Sequence, residues 1–473
     1  CRFCIINCTC YCILLGIEKK DYWWYFAFWH EELMYTNNKR LELMKKVLDS
    51  TINLEISRWN SHPDYHWIDL KLDAIDNQNH FEDLEGIRGR DNIYCWIQGR
   101  GLEALVTHIK WYESLKDTSK PNLESMKNMA REVSASLLKA KKINNGHLYF
   151  RLSENGSAKT KPQSEKYTMS DLFCSRGLYA YALAYGTEEE KAQAKDYLVC
   201  ALKSVIEFNF YDDVESFYSG RAVTYNDGRT TFSGNMIALG GASLLIKGGA
   251  VREGLTIGKA LIDYVFDNHL NLRDDGCSKW DTISRYTVVD WIMNTEPARC
   301  SNNEVQLNSG HSIEFIGLTA QLLLEAYKHP NEIKDFVPWM DSVSKLLIPI
   351  IKANFEHGYR KPCGMAMLID AETNEVINDN MAWWGIPETM RALVLSSKLS
   401  DNVDSWIMDT FDMCLEGFIK WYYNQSKSGI AVQTINSKGI PQAVIPATPD
   451  LDPGYHTGLS FIGCYCVLNN IKE

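Results

Sequence analysis

The stretch NSGHSIEFIGL, residues 308–318, opens with small and polar residues and then runs on as an apolar helix. His311 and Glu314 stand three positions apart, so a helix places them on one face within reach of each other. A carboxylate beside an imidazole stabilises the charged ring and fixes its orientation, which serves a structural pair and an acid/base catalyst equally well. The spacing alone does not separate the two.

The same kind of opening recurs along the chain. QGRGLEALV (98–106), CSRGLYAYAL (174–183), SGNMIALGGA (233–242), WGIPETMRAL (384–393) and PGYHTGLSFIG (453–463) each set Gly or another small residue beside polar or aromatic groups and continue as apolar helices poor in charge. Between them lie helices rich in charge, such as LELMKKVLDSTINLEISRW and PNLESMKNMAREVSASLLKAKK. Apolar spacing of three and four residues predicts twelve helices, at about 40–58, 97–115, 122–141, 171–185, 188–207, 233–247, 250–268, 311–328, 335–354, 383–397, 401–422 and 457–470. Short connections such as GTEEE (186–190) and KGGAVRE (247–253) alternate with long ones, and short loops join antiparallel neighbours. Six hairpins with an apolar inner ring and a solvated outer ring predict an all-α (α/α)6 barrel, with an open helical solenoid as the rival architecture.

Length and charge narrow the partners. The chain has 473 residues, 45% of them hydrophobic, and a formal net charge of -11 from 49 basic and 60 acidic residues. With no compact Lys/Arg cluster, a nucleic-acid surface is not expected, and a neutral small molecule is the expected ligand. Of the 14 cysteines, Cys1, Cys4, Cys8, Cys10 and Cys12 crowd the start and the other nine are scattered, mostly in apolar helical surroundings. That pattern suits buried thiols in a reducing, cytoplasmic setting better than a disulfide framework. The early CxxC and CxC spacings lack a second Cys/His pair at zinc spacing, so no metal is expected there. The apolar run from Phe3 to Gly16 is too short to span a bilayer, and no membrane partner is expected. Residues 1–33 are set aside as an N-terminal extension, and residues 34–473, starting at Met34, are read as one domain.

If all inner helices run the same way, Arg100, Asn235, His311, Trp384, Glu388 and His456 gather around one mouth, where helix N-termini offer free N–H groups and partial positive charge. Two histidines on opposed helices are what proton transfer at carbon requires: one takes a proton from one face and the other returns it to the opposite face. Arg100, with Glu103 one turn on, is placed to clamp an oxyanion, or else the two pin neighbouring helices. Trp384 and Glu388 face the same way, which suits a sugar ring stacked on the indole with its hydroxyls on the carboxylate. Each residue also has a structural reading: Trp383 and Trp384 as core, His456 as a helix cap.

SGHSIEF resembles the PGHSIE-type motif of the N-acylglucosamine 2-epimerase family, which includes cellobiose 2-epimerases, mannose 2-epimerases and aldose–ketose isomerases. AWWGIPETMRAL (382–393) resembles that family's WW-x-x-x-E-A helix, WIQGR (96–100) its Q-x-R helix start, and PGYH its last inner helix opening on a histidine. The resemblance implies an (α/α)6 barrel and proton transfer next to a sugar carbonyl after ring opening, without metal or other cofactor. It implies His311 and His456 as the acid/base pair, Glu314, Glu388 and Arg100 as supporting catalytic groups, and Trp384, Trp383, Asn235, Tyr455 and Trp96 as substrate-binding residues. Two positions depart from the pattern: Ser309 stands for the usual proline, and Leu459 for an arginine often found three residues after the final histidine. A sugar 2-epimerase is therefore expected, with an aldose–ketose isomerase, a glycoside hydrolase using Glu314 and Glu388, or a catalytically silent carbohydrate-binding protein as alternatives. No GxxxxGK[ST] loop is present, so catalytic ATP use is not expected. The assembly is left open, a homodimer included.

Overall fold

Thr36, Asn122, Thr168, Thr187, Asn308 and Asp404 each accept a hydrogen bond from a backbone N–H in the first turn of the helix that follows. At Thr168 and Thr187 the acid three residues on bonds back to the cap, completing a capping box. These local signals set the helix starts close to where periodicity predicts them. The computed structural model describes residues 36–115, 120–160, 165–215, 228–273, 280–300, 302–400, 404–445 and 447–469. The N-terminal extension, with its five cysteines and Met34, lies outside the described residues.

Among the described residues twelve α-helices follow in order: α1 (Asn37–Ser61), α2 (Cys95–Ser114), α3 (Leu123–Ile143), α4 (Met169–Tyr185), α5 (Glu188–Ile206), α6 (Ser233–Lys247), α7 (Val251–Asn268), α8 (Ser309–Tyr327), α9 (Val337–Gly358), α10 (Gly385–Ser397), α11 (Ser405–Phe418) and α12 (Ser460–Leu468). π-helical turns extend α11 over Ile419–Tyr423 and lead into α12 over Tyr455–Leu459. The even-numbered helices are buried around most of their circumference, as their low charge requires, whereas α3, α5 and α7 bury one stripe. Neighbouring inner helices pack in sequence from α2 to α12, and the Tyr455–Leu459 turn packs back on α2. The ring closes, which excludes the open solenoid.

Close approach inside the ring depends on glycine. A Cβ on Gly99 of α2 would lie 2.6 Å from the Phe173 carbonyl carbon on α4, and one on Gly177 of α4 would run into the backbone oxygen of Gly99. The GRG and SRG openings thus let two helix backbones touch.

The long connections all lead from an outer helix to the N-terminus of the next inner one, so they stack over one mouth. They carry short strands that helical periodicity did not predict. Gln306–Leu307 (β1), Tyr359–Arg360 (β2), Gly364–Asp370 (β3), Val376–Ala382 (β4) and Thr434–Ile435 (β5) form one sheet in the order β5-β4-β3-β1, with β2 also on β3. The β3–β4 hairpin pairs Ala366 with Met381 and Ile369 with Val376. Its inner side joins Trp280, Ile283, Val289, Ile292, Val305 and Leu307 in a small apolar cluster separate from the barrel core. Of the eight described cysteines six are buried. No described helix is long and apolar enough to cross a membrane.

Candidate active site

The inner-helix N-termini surround a cavity of about 360 Å³, lined among others by Trp96, Arg100, Phe173, His311, Glu314, Trp383, Trp384 and His456. The volume is within the range of small-molecule sites. His311 stands in the first turn of α8, where Asn308 accepts its backbone N–H at 3.1 Å. Its side chain is 32% exposed, opening onto the cavity, and its ring stacks on Trp384 with centroids 5.0 Å apart and planes 18° from parallel.

His456 reaches the same cavity from the opposite end of the chain. Gly454 takes a positive φ of 66° to turn the backbone, and Asp452 accepts the N–H groups of Tyr455, His456 and Thr457 at 3.0, 3.3 and 3.1 Å. This carboxylate cap fixes the π-helical turn that carries the imidazole. The ring is nearly buried, at 7% exposure, with Nδ1 2.9 Å from Glu388 Oε1 and 3.9 Å from Glu314 Oε1. Glu388 is itself held by Arg391 one turn further along α10. With Nδ1 committed to Glu388, Nε2 is the nitrogen left for chemistry.

The two imidazoles titrate in opposite directions. Burial pushes His456 down, and the pull of Glu314 does not restore it. Burial also pushes Glu388 up, to about 7, against the pull of Arg391. His311 loses as well by burial, but Asp290, with Oδ1 4.0 Å from Nδ1, and Glu314 outweigh that loss and raise it. The shifts favour the neutral ring at His456 and the protonated ring at His311. Glu314, buried between the two rings, is raised first by desolvation and then by Glu388.

Arg100 is buried at 9% exposure, and its guanidinium lies 4.1 Å from the Phe173 ring centroid, 5.3 Å from Trp96 and 5.5 Å from Tyr455. Among the described residues it makes no ion pair and no side-chain hydrogen bond, and its Nε is buried without a partner. The structural alternative, an Arg100–Glu103 pair, does not form, because Glu103 turns to Arg176 of α4 at 2.9 Å. A cation held by ring faces keeps its donors free for an oxyanion in the cavity.

The other expected residues divide. Trp96, Trp383 and Trp384 line the cavity beside the two histidines, Glu314 and Arg100. Glu388 does not reach the cavity surface and is bonded to His456 behind it. Tyr455 packs behind Arg100, and Asn235 is buried on α6 off the cavity lining, where Ser233, Met236 and Ile237 stand instead. Residues that the sequence reading missed include Asp290, Asp452, Arg391, Arg176 and the cavity-lining Asp212. The only one with a local signal is Arg391, three residues after Glu388 on one helix face. Glu314, Glu388 and His456 place three potential metal-ligand atoms within 4.8 Å of one another. Glu388 already engages His456 and Arg391, so the arrangement is that of a hydrogen-bonded relay with a guanidinium counter-ion.

No family model and no curated protein matches the sequence. Solved structures do match the fold. Cellobiose 2-epimerase from Spirochaeta thermophila DSM 6192 is similar at 13% identity over 92% of this chain and 98% of that chain, with a TM-score of 0.63. A D-mannose isomerase is similar at 15% identity over 91% and 97%, with a TM-score of 0.61. A glycosyl hydrolase family 88 protein from Bacteroides vulgatus is similar at 10% identity over 92% and 99%, with a TM-score of 0.50. The chain has the (α/α)6 barrel fold, shared with sugar-epimerising, sugar-isomerising and glycoside-hydrolysing proteins.

Proposed function

We propose that this chain is a carbohydrate epimerase acting at C2 of an aldose, N-acylhexosamine or reducing-end sugar. The observation that carries the reading is the pair of histidines from different inner helices opening on one cavity, one favouring the free base and the other the acid. The likeness of fold to a cellobiose 2-epimerase and a mannose isomerase supports it, as do the motifs around His311, Glu388 and Arg100.

In this reading the ring-opened sugar lies between the imidazoles. Nε2 of His456 removes the C2 proton while Glu388 steadies the imidazolium that forms, and charge develops on the carbonyl oxygen. Arg100, which makes no ion pair among the described residues, stabilises that oxygen in the enediolate. His311 then delivers a proton to the other face of C2, giving the epimer. Delivery to C1 instead gives the ketose, so an aldose–ketose isomerase uses the same site. Trp384 and Trp383 supply apolar surface against the sugar.

A hydrolase would need two carboxylates flanking the scissile bond. Glu314 lines the cavity, but Glu388 is at 0% exposure and engaged by His456 and Arg391, which disfavours a hydrolase built on these two. The test is incubation with free aldoses, N-acetylhexosamines and β-1,4-disaccharides in heavy water. Deuterium at C2 with appearance of the epimer supports the proposal. Glycosidic cleavage without exchange, or binding without either, would overturn it.

A further inference from the structure

Arg100 and Glu103 share one face of α2, three residues apart, a spacing at which Arg and Glu ordinarily pair. They do not pair here. The Glu103 carboxylate is drawn to Arg176 on α4, whose Nη2 lies 2.9 Å from Oε1 while Nη1 donates to the Ile237 carbonyl at 2.9 Å. Arg176 is almost wholly buried, at 1% exposure, in a slot that exists because residue 240 of α6 is glycine: a Cβ there would collide with the guanidinium. The ring of Tyr455 lies between the two cations, 5.5 Å from the Arg100 guanidinium and 5.4 Å from that of Arg176. Of these two arginines, Glu103 thus pairs with the one that does not line the cavity.

We propose that Arg176 is a positioning residue that sequesters Glu103 and thereby keeps Arg100 an unpaired cation at the cavity wall. Without Arg176, Glu103 is a buried carboxylate with no counter-ion, and the nearest cation on its own helix face is Arg100. Capture of Arg100 by Glu103 removes the donors that an enediolate oxygen would use. This inference rests on the proposed proton transfer for its catalytic meaning, but the pairing itself is testable without activity.

The test is labelling of Arg100 by phenylglyoxal, an arginine reagent that a carboxylate partner hinders, read by peptide mass spectrometry on folded full-length variants. Arg100 should be labelled in the wild type, protected severalfold in Arg176→Met, and labelled again in the Arg176→Met, Glu103→Gln double variant. C2 exchange should follow the same order, lost in the single variant and regained in the double. A merely structural Arg176 would leave the double variant at least as impaired as the single one, and that result would overturn the proposal. So would unchanged labelling of Arg100 in Arg176→Met. If Arg176→Met does not fold, Arg176→Gln carries the same comparison with the guanidinium volume partly kept. Absence of exchange in the wild type, with the labelling pattern as expected, would sink the epimerase reading and leave the positioning role standing.

Discussion

Nδ1 of His456 lies 2.9 Å from Oε1 of Glu388, and Glu388 has no surface on the cavity. The carboxylate is placed to act on the imidazole rather than on a ligand in the cavity, with Arg391 as its counter-ion. In the proposed reaction it sets which ring nitrogen is free and steadies the ring once it takes a proton. Glu388→Gln keeps the shape and removes the charge, so kcat is expected to fall by about 10²–10⁴-fold, the range seen when an orienting carboxylate or a general base is lost. KM should change little. Steady-state kinetics on the folded variant checks this, and a wild-type kcat would detach Glu388 from the chemistry.

The two histidines should be separable by isotope. His311→Asn and His456→Asn are each expected to abolish net epimerisation, yet each variant should still exchange the C2 proton of one epimer with heavy water, a different epimer in each case. The reason is that each imidazole reaches one face of C2. NMR of both epimers in heavy water reads the outcome. If a folded, sugar-binding His311→Asn variant turned over at the wild-type rate, His311 would be a structural residue.

The pH dependence follows from the opposed shifts. His456 must be unprotonated, and its value is held below the ordinary 6.5 by burial, so the acid limb of kcat/KM should lie below pH 6.5. His311 must be protonated, and Asp290 and Glu314 hold its value above 6.5, so the alkaline limb should lie above pH 6.5. The expected profile is a bell with its limbs on either side of pH 6.5, and Asp290→Asn should move the alkaline limb down. A profile with its maximum well outside that window would contradict the assignment of base and acid.

The adjacent tryptophans should behave differently. Trp384 is half-buried, lines the cavity and stacks on His311, so Trp384→Ala should raise KM more than it lowers the melting temperature. Trp383 is 6% exposed and part of the main core cluster, and its truncation should cost roughly 3–5 kcal/mol of stability. Thermal denaturation alongside kinetics of both variants distinguishes a platform from a core residue.

Gly177→Ala probes the ring itself. The added methyl would meet the backbone oxygen of Gly99 on α2, a neighbour that cannot rotate away. A loss of about 1–3 kcal/mol is expected from such overpacking. Denaturant titration gives the value, and an unchanged midpoint would show that α2 and α4 can separate without penalty.

The amino-acid sequence by itself determined the twelve helices, their division into inner and outer rings and the gathering of Arg100, His311, Glu314, Glu388 and His456 at one end. Those features are legible because apolar periodicity, capping residues and glycine at close approaches act over a few residues. Only the tertiary structure decided which charges pair. Glu103 is one helical turn from Arg100, yet it binds Arg176 from the neighbouring helix. Asp290 reaches His311 from a loop 21 positions upstream, and Asn235, on the right helix, turns away from the cavity that its neighbours line. The short strands over the mouth were equally hidden, since most are two or three residues long and owe their pairing to connections brought together by the barrel. A pair at three-residue spacing is an offer that a helix makes locally. Whether it is taken depends on the counter-charge that the next helix brings closer, and that depends on the closed ring.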